Sequence, residues 1–136
     1  MYEFTITCDG GSLGNGSKDS IGYGSFMIAA EDKVNTIHQL HFGSGVTNNE
    51  AEYLALIGAL DHLAVAFTAV AADLKTIKIT IKTDSQLVIG QLSMGWKVKA
   101  PNLRPLAIKA AAKCQQFNEV KFTRISGDTM KKILGH

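Results

Sequence analysis

The sequence is poor in the residues that staple, kink or anchor a chain. Among 136 residues it has two cysteines, Cys8 and Cys114, with no Cys-x-x-Cys spacing and no clustered histidines. That argues against a disulfide framework and a zinc site, and two free thiols fit a reducing, cytoplasmic setting. Only two prolines occur, Pro101 and Pro105, and only one tryptophan, Trp96. The opening Met-Tyr-Glu-Phe-Thr has neither a basic leader nor an apolar one, and the longest apolar stretch, 63–72, is too short to cross a bilayer. Secretion and membrane association are therefore not expected. There is no internal repeat, linker or low-complexity tract, so the chain reads as a single domain over residues 1–136, a monomer long enough to bury roughly two thirds of its unfolded surface.

Strong net charge is also lacking: the formal value is +2. Its distribution is uneven. Residues 96–136 carry nine Lys or Arg (Lys97, Lys99, Arg104, Lys109, Lys113, Lys121, Arg124, Lys131, Lys132) against two acids, whereas residues 1–95 carry five basic residues against ten acidic ones. An acidic centre beside a basic surface suits a protein that handles polyanions with metal ions, although a solvated Lys-rich helix face gives the same count.

What is present is a clear succession of periods. Residues 2–9 alternate, Tyr2, Phe4, Ile6 and Cys8 against Glu3, Thr5, Thr7 and Asp9, which predicts a strand with one buried face. Gly10-Gly11-Ser12 and Gly14-Asn15-Gly16-Ser17 read as a loop or wide turn. Strands are expected over 21–30 and 36–42, the latter after the polar turn Glu31-Asp32-Lys33, completing an antiparallel meander. From Thr47 the period becomes helical: Thr47 or Asn48 caps a helix with Glu50 in its first turn, and Glu52, Ala55, Leu56, Ala59, Leu60 and Leu63 share a stripe. Ile77, Ile79 and Ile81 alternate into a fourth strand ending at Asp84. A short helix follows over 85–92, a longer one opened by Pro101 and Pro105 runs to about Phe117, a strand covers 120–124, and a last helix covers 127–134. The class is α/β with a mixed sheet.

Asp9 and Asp84 each end a strand on its polar side, and Glu52 heads the intervening helix. If the first and fourth strands are parallel neighbours through a right-handed crossover, the two aspartates lie side by side with Glu52 above them. Converging carboxylates repel unless a cation neutralises them, and hard oxygen ligands favour magnesium or manganese. Taken singly, each acid is equally well a turn or surface residue.

Three segments carry a resemblance: Thr7-Cys8-Asp9-Gly10-Gly11-Ser12, Thr47-Asn48-Asn49-Glu50-Ala51-Glu52-Tyr53 and Thr83-Asp84-Ser85-Gln86-Leu87-Val88. In order and spacing they resemble the motifs of type 1 ribonuclease H, archaeal-type, over about residues 2–125; the stretch 91–100 resembles members lacking the basic protrusion. The resemblance implies a ribonuclease H-like fold, a five-stranded mixed sheet with strands 1–3 as a meander and strands 4 and 5 parallel to strand 1. It implies hydrolysis of the RNA strand of an RNA/DNA hybrid with two Mg2+ or Mn2+ ions. By position Asp9, Glu52 and Asp84 would be catalytic metal ligands. Asn48, Asn49 and Gln86 would read the minor groove through 2′-hydroxyls, with Asn48 alternatively a helix cap. Gly10 and Gly11 would admit the scissile strand closely, and Lys97, Lys99 and Arg104 would meet DNA-strand phosphates or simply face solvent. Trp96 either stacks on a sugar or packs at a helix end.

The sequence departs from the family at its C-terminal motif, Arg-x-x-Asn-x-x-Ala-Asp. The matching stretch, Arg124-Ile125-Ser126-Gly127-Asp128-Thr129-Met130-Lys131, places Lys131 where the fourth carboxylate is expected. Asp128 takes over one turn earlier, or the Lys131 ammonium stands where a second metal would partly sit, or activity is lost and the domain is a hybrid-binding or double-stranded-RNA-binding module. The retained inner carboxylates favour an active enzyme. His136 is either a proton shuttle or a frayed end.

Overall fold

The computed structural model describes residues 2–15, 17–30 and 36–135. Strands β1 (Tyr2–Leu13), β2 (Ile21–Ala30), β3 (Ile37–Ser44), β4 (Ile77–Thr83) and β5 (Glu119–Arg124) form one sheet in the order β3-β2-β1-β4-β5. β1, β2 and β3 pair antiparallel, β4 lies parallel to β1, and β5 lies parallel to β4. This is the expected mixed sheet. Four helices accompany it among the described residues: α1 (Asn48–Ala69), α2 (Gln86–Ser93), α3 (Arg104–Cys114) and α4 (Gly127–Leu134).

The core lies between the sheet and α1. Ile6, Cys8, Ile77, Ile79 and Ile81 project from the two central parallel strands, and the expected stripe of α1, Ala55, Leu56, Ala59, Leu60 and Leu63, is buried against them. Tyr53 and Ile57 are buried as well, because α3 also packs on α1. As a 22-residue helix α1 is long and apolar enough to cross a membrane, a length the apolar run 63–72 alone did not disclose. Its buried side chains, from Ala51 to Leu63, lie in the core, while Val65 is exposed. Thr47 begins it with a reciprocal cap: the Glu50 N–H donates to Thr47 Oγ1 (3.2 Å) and the Thr47 N–H donates to Glu50 Oε1 (3.0 Å).

The main departure from the sequence reading lies at Gly10-Gly11-Ser12. These residues are not a loop; they continue β1, pairing with Gly24, Tyr23 and Gly22 of β2. A side chain on Gly10 would collide with the Ala51 and Glu52 backbone, and one on Gly11 with the Tyr23 ring. The glycines therefore serve close packing of strand on helix and strand on side chain, not a turn. Thr7 is buried like its neighbours, because β1 is the middle strand with both α1 and α4 packed on it. Other boundaries shift slightly: β3 runs to Ser44, and α3 starts at Arg104 with Pro105 in its first turn, Pro101 lying in the turn before it. The 31–33 turn, Gly16 and His136 lie outside the described residues.

Candidate active site

The β1–β4 register positions two of the three acids. Tyr2 pairs with Ile77 and so on to Thr7 with Lys82; carried two residues further, the same register sets Asp9 beside Asp84. Glu52 enters from the first turns of α1, which Gly10 allows to approach β1 at backbone contact. One carboxylate oxygen from each of Asp9, Glu52 and Asp84 lies within 4.8 Å of the others. The three acids predicted to meet do meet.

The electrostatics are those of a cation site. Glu52 is pushed up from its ordinary 4.5 to about 7, first by burial, with the Ser85 hydroxyl bond acting in the opposite direction and the charges of Asp84 and Asp9 adding to the rise. Asp84 Oδ1 is sealed from solvent with no hydrogen-bond partner among the described residues. A buried carboxylate oxygen left so costs more than the roughly 1–3 kcal/mol of a neutral orphan, which a ligand on that oxygen would offset. Three hard oxygen donors suit Mg2+ or Mn2+ and suit soft ions poorly. Beneath them the buried Cys8 thiol is held far above its ordinary range by desolvation and then by the charges of Asp9, Glu52 and Asp84. It stays protonated and is no nucleophile.

Ser85 is a site residue the sequence reading left unassigned. It caps α2, its Oγ accepting the Val88 N–H at 3.2 Å, and its hydroxyl also bonds Glu52. A Ser directly after a strand-ending Asp, at a helix start, was the available signal. Tyr53 is similar: its hydroxyl, raised to about 12 by burial, donates to Gln91 Oε1 and ties α1 to α2 next to Glu52.

Around the cluster the remaining candidates separate. Thr47, not Asn48, caps α1; Asn48 Oδ1 accepts the Ser12 N–H (2.7 Å), and the Asn48 N–H donates to Asn15 Oδ1 (2.9 Å). Its amide oxygen is committed to β1. Asn49 and Gln86 are exposed at the first turns of α1 and α2. Gln86 shares a cavity of about 280 Å3 with Ile89, Met94, Trp96 and Arg124. Trp96 packs its ring on Gly90, where an added side chain would overlap it, while half of its surface stays open. Lys97 and Lys99 are exposed between α2 and α3. Arg104 is partly occupied, donating to the carbonyls of Val98 (3.0 Å) and Lys99 (3.3 Å), so it shapes that basic segment. The start of α4 faces the site through Gly127, whose Cβ position is 3.7 Å from Asp84 Oδ2. Asp128 is exposed in the first turn of α4 and does not join the carboxylate group; Lys131 is exposed one turn after Gly127.

The family model described as RNase H matches residues 2–133. A bifunctional protein of Mycobacterium tuberculosis is 34% identical over 117 residues, covering 86% of this chain and 29% of that protein. Ribonuclease HI of Halobacterium salinarum is 33% identical over 128 residues, covering 91% of this chain and 57% of that one. The chain thus spans under a third of the first relative and little over half of the second. LC11-RNase H1, isolated from compost and solved in complex with an RNA/DNA hybrid, superposes with a TM-score of 0.76 at 27% identity, covering 95% of this chain and 89% of that one.

Proposed function

Because the chain belongs to the RNase H family, we propose that it is an endoribonuclease hydrolysing the RNA strand of RNA/DNA hybrids with two divalent ions, Mg2+ or Mn2+, held by Asp9, Glu52 and Asp84. The observation that carries this reading is the convergence of those three carboxylates, one of them with a buried orphan oxygen. The hybrid bound to the structural relative supports the substrate class. The ions, when bound, would supply positive charge to activate the attacking water and to stabilise the leaving 3′-oxygen. The chain's own residues hold and orient. Ser85 fixes the Glu52 carboxyl, and the Asn48 amide, anchored through its oxygen to Ser12, presents its NH2 group where a 2′-hydroxyl would accept. Asn49 and Gln86 extend that row, and Lys97, Lys99 and the segment shaped by Arg104 meet the phosphates of the DNA strand. Lys131 leaves the inner three carboxylates to carry the metal site. The setting is cytoplasmic, consistent with two unpaired thiols.

The test is a cleavage assay on an end-labelled hybrid with Mg2+ or Mn2+, run beside single-stranded RNA, double-stranded RNA and DNA duplex. Products from the RNA strand of the hybrid alone, abolished by chelator, are expected. Hybrid binding without metal-dependent product in either ion identifies the binding module instead.

A further inference from the structure

A second pair of ligating side chains lies away from the carboxylate cluster. His38 on the edge strand β3 and His62 on α1 bring their imidazole rings to 4.4 Å between centroids at an interplanar angle of 50°. Phe26 of β2 braces both, stacked on His38 at 4.8 Å and 16° and in tilted contact with His62 at 5.6 Å. His38 and His62 line a surface cavity of about 680 Å3; Asp61, also at its wall, is ion-paired with Lys113 of α3. Neither imidazole hydrogen-bonds another described residue. Glu52 and His62 are ten residues apart on α1, so this cavity stands about 15 Å along the helix from the carboxylates.

We propose that His38 and His62 form a two-imidazole site for a transition-metal cation of the zinc, nickel or copper(II) class, distinct from the magnesium-type carboxylate site. Imidazole nitrogens are preferred donors for these ions and poor ones for magnesium, so magnesium does not compete for this pair. A tetrahedral ion with Zn–N bonds of about 2.0–2.1 Å holds two imidazole centroids roughly 5 Å apart, so from 4.4 Å the two rings would separate slightly and each turn one nitrogen to the ion. Stacking on Phe26 already restricts His38, which lowers the ordering that binding would demand. Open solvent supplies the remaining ligands. An ion here would clamp the sheet edge to the core helix.

Zinc titrations of the full chain in saturating magnesium, followed by calorimetry and by imidazole nitrogen NMR, test this. The expected result is one zinc equivalent that shifts the ring nitrogens of both His38 and His62, with His38→Gln and His62→Gln each weakening binding at least tenfold. Magnesium-dependent hybrid cleavage without zinc stays unchanged in both variants. Imidazole signals of the wild-type chain that do not move at millimolar zinc, or zinc binding that survives both substitutions, overturn the proposal.

Discussion

Glu52 is the residue on which the chemistry and the stability of the site meet. In the metal-free protein the folded state holds a proton on Glu52 up to about pH 7, whereas the unfolded chain releases it near 4.5. The protonated carboxyl therefore contributes stability that is complete below pH 4.5 and is lost as pH rises through 7. With chelator present, urea denaturation should show stability falling between pH 5 and 8 by about 1–3 kcal/mol, a fall that Glu52→Gln removes and added magnesium reverses. A flat pH profile in wild-type protein would contradict this. Lys131 poses the complementary question. It sits one turn after Gly127, which faces Asp84. Lys131→Asp should raise hybrid cleavage several-fold at limiting magnesium by adding a carboxylate in place of an ammonium; equal or lower rates across the whole magnesium titration would show that this position does not touch the metal site.

At the scale of elements, the site is a product of three helix starts, the end of β4 and the interior of β1. α1 depends on the Thr47–Glu50 reciprocal cap, so Thr47→Ala should lower the unfolding free energy by about 1 kcal/mol in denaturant titrations, with the Glu52 position shifted enough to weaken magnesium binding. Most of these elements were legible in sequence. The Ile77-Ile79-Ile81 alternation and Ser85 marked β4 and the start of α2, and Ser126 with Gly135 bracket α4 over the residues expected. Asp84, just past β4, and Glu52, in the first turns of α1, were legible because each stands near an element end; Asp9 was expected to end β1 but lies inside it, four residues before Leu13. What was not legible is what depends on approach between elements. Gly10 and Gly11 read as a turn because local propensity cannot distinguish a glycine needed for positive φ from one needed for close packing against residues distant in sequence, the Ala51–Glu52 backbone for Gly10 and the Tyr23 ring for Gly11. Ser85 as a partner of Glu52, and Asn48 as a tie to Ser12, are likewise pairings across the fold that no local pattern encodes.

Across the whole molecule, the small net charge of +2 is divided between an acidic site and a basic C-terminal part. Arg104 holds the exposed Lys97–Lys99 segment in place. Hybrid binding should weaken with salt, and the Lys97→Ala, Lys99→Ala double variant should reduce the slope of log K against log[salt] by about one to two while leaving the cleaved strand unchanged. An unaltered slope assigns both lysines to solvent. The central claim is that the carboxylate cluster is the cation site that cleaves hybrid RNA. Its most direct measurement compares the initial rate of hybrid cleavage by wild-type and Asp84→Asn protein in saturating magnesium, with hybrid affinity measured in parallel. A rate loss of at least a hundredfold is expected, with affinity retained within a few-fold; comparable cleavage by the two proteins would contradict a catalytic role for the cluster.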